Sequence, residues 1–194
     1  MAEVILARHG ETDWNREKRF QGHADPPLNE LGRRQSAELA EQLAAEAIGR
    51  VYTSPLRRAA ETADIVAGRL GLEVQPVEPL REIDVGAWSG LTREEVAARF
   101  PESYARWLER GPQGFEDGET YEQLAARVLP AIRELAGRHP SETLLVVTHG
   151  GPARVLQAQA AGVSLGEARR RETGLTNCGV CRFAVENGEF RRLD

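Results

Sequence analysis

The stretch that decides the fold is Val4-Ile5-Leu6-Ala7, which leads directly into Arg8-His9-Gly10-Glu11-Thr12. A short apolar run of this kind predicts a buried β-strand. Gly10 allows the backbone to turn at once, so that Arg8 and His9 stand at the carboxyl end of the strand. Ligands of α/β proteins bind at the carboxyl ends of strands. A histidine beside a fixed positive charge is suited to attack an anionic group such as phosphate.

The same pattern occurs a second time, far along the chain. The apolar run Thr143-Leu144-Leu145-Val146-Val147 ends in Thr148-His149-Gly150-Gly151-Pro152, which predicts another strand that turns into a helix. Two histidines at strand ends meet only if their strands are parallel neighbours. We therefore expect these two strands to lie side by side, with His9 close to His149.

Helices and strands alternate over the rest of the chain. The capping residues Asn29 and Ser54, the second followed by Pro55, predict helices that begin near residues 30 and 55 and end near residue 46 and at Gly71. Further strands are predicted at 51–53, 72–77, 178–185 and 189–193, and further helices at 92–100, 103–110, 121–136 and 151–161. This order predicts an α/β fold, a three-layer αβα sandwich with a mostly parallel central sheet and an antiparallel edge strand. We expect residues 1–194 to form a single domain.

Composition excludes several classes of partner. The 194 residues are 41% hydrophobic and carry a net charge of −5 without a basic stripe, so that nucleic-acid binding has no electrostatic support. The densest basic run, Arg169-Arg170-Arg171, is flanked by Glu167 and Glu172 and is interpreted as a solvated helix face. Every apolar run is shorter than the roughly 18 residues that a membrane span needs. We expect no membrane association and a cytoplasmic location.

Cys178 and Cys181 form a Cys-x-x-Cys pair. Such a pair is compatible with a redox site or with half of a zinc site, but a tetrahedral zinc site needs four ligands and the sequence has no second pair. Both residues fall in a predicted strand, where positions three apart point to opposite faces and cannot form a disulfide. We predict two ordinary thiols.

Two further charged residues are candidates for the same site, one at the start of a predicted helix and one in an irregular stretch. Arg58 is predicted in the first turn of the helix after Ser54, where a helix N-terminus already favours anions. Glu82 lies in an irregular stretch between residues 80 and 90, and could serve as a general acid or pair with Arg81. The residues alone do not favour Glu82 over Asp84.

These motifs resemble those of the histidine phosphatase superfamily, which includes cofactor-dependent phosphoglycerate mutase. Four motifs in family order carry the resemblance, and they are Arg8-His9-Gly10-Glu11-Thr12 with Trp14-Asn15 and Gln21-Gly22, Ser54-Pro55-Leu56-Arg57-Arg58-Ala59, Leu80-Arg81-Glu82 through Gly90, and Thr148-His149-Gly150-Gly151. The resemblance covers nearly the full length of the chain.

The resemblance implies a role for each matching residue. His9 is expected to be the nucleophile that becomes phosphohistidine, and Glu82 the proton donor to the leaving oxygen. The remaining expected site residues bind the phosphoryl group or line the substrate entrance, and they are Arg8, Arg58, His149, Asn15, Gln21, Gly22 and Gly150. No metal and no other cofactor is expected, because the arginines and the second histidine supply the positive charge that phosphoryl transfer requires.

The expected activity is metal-independent hydrolysis of small phosphomonoesters, such as a sugar phosphate or a glycosyl-phosphoglycerate. The closest alternative is a phosphoglycerate mutase, but mutases of this family carry adjacent arginines in an insertion. Between Trp88 and Thr120 this chain has only separated arginines, at 93, 99, 106 and 110. Two other classes stay open: a non-catalytic module that binds a phosphorylated ligand, and a metallohydrolase using His9, His149, Glu82 and Asp84. Relatives are often dimeric, so a homodimer is possible.

Overall fold

The computed structural model describes residues 1–109, 115–170 and 174–194. Its strands are β1 (Ala2–Arg8), β2 (Ile48–Thr53), β3 (Val74–Pro76), β4 (Thr143–Thr148), β5 (Val180–Glu186) and β6 (Glu189–Arg192). Its α-helices are α1 (Asp13–Arg16), α2 (Glu30–Leu43), α3 (Arg57–Leu70), α4 (Arg93–Arg99), α5 (Pro101–Leu108), α6 (Tyr121–Arg138), α7 (Gly150–Ala161) and α8 (Leu165–Arg170). Short 3₁₀ turns span Glu78–Leu80 and Gly86–Trp88.

The strands form one sheet in the order β3-β2-β4-β1-β5-β6. Strands β3, β2, β4 and β1 are parallel, and the terminal hairpin β5-β6 adds two antiparallel strands at one edge. Strand β1 pairs with β4 in a register that places Arg8 opposite Thr148. The predicted adjacency of the two histidine-bearing strands is therefore confirmed, as is the mostly parallel sheet with an antiparallel edge.

Helices cover both faces of this sheet because the central strands are apolar on both sides. Val4 and Leu6 of β1 pack into the cluster that contains the buried faces of α6 and α7. Ile5 and Ala7, one position on, pack into the cluster with α2 and α3. Strand β4 divides its residues in the same way. Burial on both faces is typical of parallel strands, and the three-layer αβα sandwich follows from it.

The start of α3 differs from the prediction that Ser54 caps it. The N-cap residue is Leu56, which offers no side-chain hydrogen bond, and α3 begins at Arg57. The hydroxyl of Ser54 still accepts a hydrogen bond from the Leu56 N–H at 3.3 Å, but it serves chiefly as a partner of His149. The predicted end of the helix is confirmed, since Gly71 terminates α3 in the left-handed conformation at φ 69°.

Gly10 is required by close packing rather than by an unusual backbone conformation. A Cβ atom at this position would lie 2.5 Å from the carbonyl oxygen of Gly32 on α2. Gly32 faces the same constraint, because its own Cβ would lie 2.1 Å from the carbonyl oxygen of Glu11. The loop that follows β1 is thus held directly against the first turn of α2.

The basic run and the cysteines differ in part from their predicted settings. Arg169 is buried and not solvated as predicted. Its guanidinium lies 4.8 Å from the centre of the Tyr121 ring, a contact that is favourable because aromatic faces attract cations. Cys178 precedes β5 and adopts a positive φ of 55°, so only Cys181 lies in the strand. Both cysteines are free thiols, and burial raises the pKa of Cys178 to about 11 and that of Cys181 to about 12.

Other boundaries moved by a few residues. Helix α5 begins at Pro101 and not near 103, since proline is favoured in the first helical turn. The predicted loop at 111–114 and Arg110 lie outside the described residues. Within the described ranges, no helix has both the length and the apolar character needed to cross a membrane.

Candidate active site

A cleft of about 250 Å³ opens at the carboxyl edge of the parallel strands. Eight of the nine predicted site residues line it, and they are Arg8, His9, Asn15, Gln21, Gly22, Arg58, Glu82 and Gly150. The ninth, His149, lies behind the cleft wall, fully buried, with its ring centre 5.1 Å from that of His9. The sequence therefore identified a set of residues that the fold brings together.

The ring of His9 is held in one orientation by the backbone. Its main-chain N–H donates to the carbonyl oxygen of Thr148 at 3.0 Å, which ties the end of β1 to the end of β4. Its Nδ1 lies 2.7 Å from the carbonyl oxygen of Gly10. A carbonyl only accepts hydrogen bonds, so Nδ1 carries the proton and Nε2 keeps its lone pair. The tautomer required of a nucleophilic Nε2 is thus fixed by a main-chain group.

His149 is oriented by Ser54. Its Nε2 lies 2.7 Å from the Ser54 hydroxyl, which already accepts a hydrogen bond from the Leu56 N–H. The hydroxyl oxygen has two lone pairs and one proton, so after accepting from Leu56 it can either donate to Nε2 or accept from it. The other ring nitrogen, Nδ1, is buried and has no hydrogen-bond partner within the described parts of the chain. His149 therefore keeps one ring nitrogen whose hydrogen-bonding capacity is unused.

Two arginines direct further donors into the same region. Arg58 is completely buried and donates to the carbonyl oxygens of Ala24 at 2.7 Å and Gly22 at 2.8 Å. Arg8 donates to the carbonyl oxygen of Leu175 at 2.6 Å. The Nε atoms of both arginines are buried without a partner among the residues described. Buried donors without partners are costly, so this arrangement favours an anion that accepts from them.

The arginines also determine the charge state of the histidines. Burial, and next the charges of Arg58 and Arg8, hold the pKa of His9 well below its usual value of 6.5. Burial and Arg58 do the same to the pKa of His149. Burial lowers the pKa of Arg58 to about 10, which still leaves it charged at neutral pH. The site therefore combines two cationic arginines with two neutral imidazoles, and the unprotonated nitrogen of His9 is Nε2.

Glu82, and not Asp84, is the carboxylate that faces the cleft. Its Oε1 accepts hydrogen bonds of 2.9 Å from the main-chain N–H groups of Ile83 and of Gly151 in the first turn of α7. Arg81 instead pairs with Glu78 at 3.0 Å. Asp84 caps the N–H of Gly86 at 2.9 Å and does not line the cleft. The choice that the sequence left open is settled by position.

The remaining predicted residues form the walls of the cleft. The Asn15 Oδ1 atom accepts from the Thr12 N–H at 3.1 Å, which fixes its side chain beside His9. Gly22 adopts a positive φ of 51° and presents its carbonyl to Arg58. The Gln21 side chain is buried, and its Oε1 atom has no partner in the described structure.

Four aromatic residues between positions 100 and 115 differ in where they lie. Trp107 and Phe115 form part of the cleft wall, together with Phe20. Tyr104 instead stacks on Trp107 with ring centres 5.8 Å apart, and Phe100 packs against the core. Tyr104 and Phe100 therefore contribute to helix packing.

Several residues that line the cleft were not identified from the sequence, and Arg154, Tyr121 and Leu175 are among them. Arg154 and Tyr121 contact each other through a 3.1 Å hydrogen bond, and Leu175 accepts from Arg8 through its carbonyl. Arg154 had a detectable signal, because it follows Gly151 by three positions and so lies on the same face of the predicted helix. Tyr121 and Leu175 belong to segments that only the tertiary fold brings to the cleft.

The described residues contain no group of three or more His, Cys, Asp or Glu side chains placed to hold a metal ion. The four residues required by the metallohydrolase alternative do not form one ligand cluster. Glu82 accepts hydrogen bonds from backbone N–H groups, and Asp84 lies outside the cleft. In the described structure, the unpartnered donors around His9 are therefore arginine N–H groups, which suit an anion.

The fold and this site define an α/β protein with a cleft lined by His9 and two buried arginines, and with His149 directly behind His9. The chain belongs to the histidine phosphatase superfamily (branch 1), whose family model matches residues 4–193. It is a phosphatase of that superfamily.

Several known proteins are similar over most of the chain. Phosphoserine phosphatase 1 of Hydrogenobacter thermophilus is 39% identical over 166 residues, which cover 85% of this chain and 79% of that protein. Phosphoglycerate mutase-like protein 4 of Arabidopsis thaliana is 40% identical over 195 residues, covering 97% and 81%. The structure of the mycobacterial glucosyl-3-phosphoglycerate phosphatase with VO3 superposes with a TM-score of 0.89 at 30% identity, covering 98% and 96%.

Proposed function

We propose that this protein hydrolyses small phosphomonoesters in two steps, through a phosphohistidine on His9 and with Glu82 as the proton donor. The observation that carries the proposal is the presence around His9, within the described residues, of two unpartnered buried arginine donors and one unpartnered ring nitrogen of His149. Arg8 Nε, Arg58 Nε and His149 Nδ1 each lack a partner in the described structure, while the Nδ1 proton of His9 is bound by Gly10. A tetrahedral phosphoryl group satisfies several such donors at once.

In the first step, the lone pair of His9 Nε2 attacks the phosphorus atom and forms an N–P bond. The P–O bond to the leaving group breaks, and the leaving oxygen takes the proton of the Glu82 carboxyl group. The transition state is loose and anionic, so that stabilisation comes from positioning and positive charge. Arg8 and Arg58 are held by their own hydrogen bonds before the substrate arrives, and therefore stabilise the charge without reorganisation.

The neutral state of the histidines supports this sequence of events. The pKa of His9 is held low by burial and by the neighbouring arginines, so its Nε2 is unprotonated at neutral pH. Binding a phosphate dianion opposes the arginine charges, and bond formation at Nε2 then places a positive charge on the ring. The carbonyl of Gly10, which accepts from Nδ1, stabilises that charge.

In the second step, water attacks the phosphohistidine. The Glu82 carboxylate accepts a proton from this water, the N–P bond breaks, and inorganic phosphate leaves with His9 neutral again. Glu82 thus acts first as an acid and then as a base, because the proton that it gives to the leaving oxygen in the first step leaves it as the carboxylate needed in the second. The two backbone hydrogen bonds that hold Glu82 Oε1 keep the carboxylate on the cleft side in both steps.

The substrate is proposed to be a small phosphorylated metabolite. The relatives named for phosphoserine and glucosyl-3-phosphoglycerate support this size and charge. The volume of the cleft, about 250 Å³, suits a compact leaving group better than a large polymer.

The test is hydrolysis of p-nitrophenyl phosphate in excess EDTA by the wild type and by His9→Ala. We expect turnover that survives EDTA and is lost in His9→Ala. Phosphate release without transfer to added phosphoglycerate distinguishes hydrolysis from the mutase reaction. Activity lost to EDTA, or retained by His9→Ala, would contradict the proposal, and absence of turnover on any phosphomonoester would favour a binding module.

A further inference from the structure

The cleft contains an arginine that the proposed chemistry does not use. Arg154 projects from α7 into the cleft, where its Nη1 donates to the Tyr121 hydroxyl at 3.1 Å. Its Nε is buried and unpartnered within the described ranges. No carboxylate of the described residues forms an ion pair with it, although the surface is rich in such pairs.

Arg19, the other additional arginine in the cleft wall, is different. It donates to Glu17 at 2.8 Å and to Glu95 at 3.1 Å, so that its charge is neutralised within the protein. Arg154 has only a neutral phenol as a partner. The two residues therefore differ in function although both line the cleft, and only Arg154 has charge left for a ligand.

A count of the charges in the substrate-bound cleft shows that, among the described residues, the positive charge of Arg154 has no negative partner. A phosphomonoester dianion is balanced by Arg8 and Arg58. Glu82 must be protonated when it serves as the acid, and so contributes no charge at that stage. One positive charge then remains in the cleft. Arg154 also lies close enough to Arg8 to lower its pKa, so the extra charge lies near the phosphoryl site.

The position of Arg154 indicates which part of the substrate it meets. Gly151 donates its N–H to Glu82, the proposed proton donor to the leaving oxygen. Arg154 is three residues further along α7, on the same face of the helix. Its side chain therefore lies on the same side of the cleft as Glu82, and its Nη2 atom is next to Gly174, the residue before Leu175.

We propose that Arg154 binds a carboxylate carried by the leaving group, so that the preferred substrates are phosphate esters of hydroxy acids. Guanidinium binds carboxylate through two parallel hydrogen bonds, which suits the unpartnered Nε and a neighbouring Nη. This inference rests on the proposed phosphatase function and adds the chemical class of the leaving group. Tyr121 positions the guanidinium for that contact.

The experiment compares 3-phosphoglycerate with sn-glycerol 3-phosphate, which have the same carbon skeleton and differ by a carboxylate in place of a hydroxymethyl group. Wild type and Arg154→Met are assayed on both, with p-nitrophenyl phosphate as the reference substrate. We expect the wild type to prefer 3-phosphoglycerate by about 10- to 100-fold in kcat/KM, the range of a hydrogen-bonded charge pair. Arg154→Met is expected to abolish that preference, mainly by raising KM for 3-phosphoglycerate, whereas kcat/KM for p-nitrophenyl phosphate and for sn-glycerol 3-phosphate should change much less.

Two further variants make the result specific. Arg33→Met removes the same charge from an exposed position on α2, outside the cleft, and is expected to keep the full preference. Arg154→Lys retains the charge without the paired donors and is expected to keep part of the preference. The wild-type substrate ratio is informative even if Arg154→Met does not fold.

Three outcomes are decisive. A wild type without preference for the carboxylate substrate overturns the inference. An equal loss by Arg154→Met on all three substrates also overturns it, because Arg154 would then serve the phosphoryl group. A wild type that hydrolyses none of the three would overturn the proposed function itself, which separates that failure from the other two.

Discussion

The side chain of Arg127 on α6 donates a 2.7 Å hydrogen bond to the main-chain carbonyl oxygen of Glu82. The same guanidinium donates to the carbonyl oxygens of Pro79 at 2.7 Å and Arg81 at 2.8 Å. Glu119 holds the guanidinium in place through two hydrogen bonds of 2.7 and 2.8 Å. One side chain thus fixes the backbone that leads to Glu82, and Arg127 is a positioning residue for the proposed proton donor.

Replacement Arg127→Met is therefore expected to lower kcat on an alkyl phosphate by about 100-fold, the effect of a misplacement near 1 Å. KM is expected to change little, because Arg127 does not line the cleft. Arg133→Met is the matched control on the same helix, since Arg133 donates to the carbonyl of Gly188 and packs over the Phe190 ring, both outside the cleft. A parallel loss of kcat in both variants, or a change confined to KM, would contradict the positioning role.

Gly151→Ala is expected to lower activity at little cost in stability. A Cβ at this position would lie 2.3 Å from Glu82 Oε1, the flexible end of a side chain that can rotate away. The carboxylate is then displaced from the leaving oxygen, and we expect a loss in kcat of about 10- to 100-fold. Gly68→Ala in α3 is the control, because nothing lies within 4 Å of its Cβ position. Full activity in Gly151→Ala would show that the placement of Glu82 is unimportant.

Glu82→Gln is expected to affect substrates according to their leaving groups. An alkoxide needs a proton as it leaves, so kcat/KM for an alkyl phosphate should fall by about 10²- to 10⁴-fold. The p-nitrophenolate ion is weakly basic and leaves without protonation, so its kcat/KM should fall much less. Asp84→Asn, which changes the neighbouring carboxylate outside the cleft, should spare both substrates. Equal losses on the two substrates in Glu82→Gln would argue against a role as general acid.

Acid is expected to destabilise the free protein through its buried histidines. Burial, followed by the charges of Arg58 and of Arg8 or the other histidine, lowers the folded-state pKa of His9 and His149 below 6.5. Above pH 6.5 the folded and unfolded states are both neutral at these positions. Below it the unfolded chain binds protons that the folded protein does not, so the free energy of unfolding falls as the pH falls.

Each of the two histidines contributes at most about 1.4 kcal/mol per pH unit to this loss. Urea denaturation of wild type and His9→Asn between pH 7 and pH 5 measures it. The variant is expected to lose less stability over this interval, because one of the two groups is absent. An identical pH dependence in the two proteins would mean that His9 is protonated in the folded state.

Much of the fold was predictable because two sequence features identify each central strand: its apolar residues and the histidine and glycine that follow it. The apolar runs that became β1 and β4 are each followed by a histidine and a glycine, and apolar residues on both strand faces are typical of a sheet covered by helices. The end of α3 at Gly71 was predictable for a similarly local reason, since glycine adopts the left-handed conformation readily.

The parts that were not predictable depend on tertiary partners. Ser54 has the sequence context of a helix cap, but its hydroxyl instead forms a 2.7 Å hydrogen bond with Nε2 of His149. Glu82 and Asp84 look alike in the sequence, and only the N–H of Gly151 distinguishes them. Arg169 follows a charge pattern typical of a solvated face, yet aromatic rings that are distant in sequence bury it.

The most direct test of the account is detection of a phosphoryl group on His9 during turnover. Glu82→Gln, in which the attack of water is slowed, is mixed with p-nitrophenyl phosphate, quenched at alkaline pH to preserve phosphohistidine, and analysed by intact and peptide mass spectrometry. We predict a mass increase of one phosphoryl group, located on His9 and absent from the Glu82→Gln protein that also carries His9→Asn. A phosphoryl group on another residue, or one that persists in the double variant, would contradict the account.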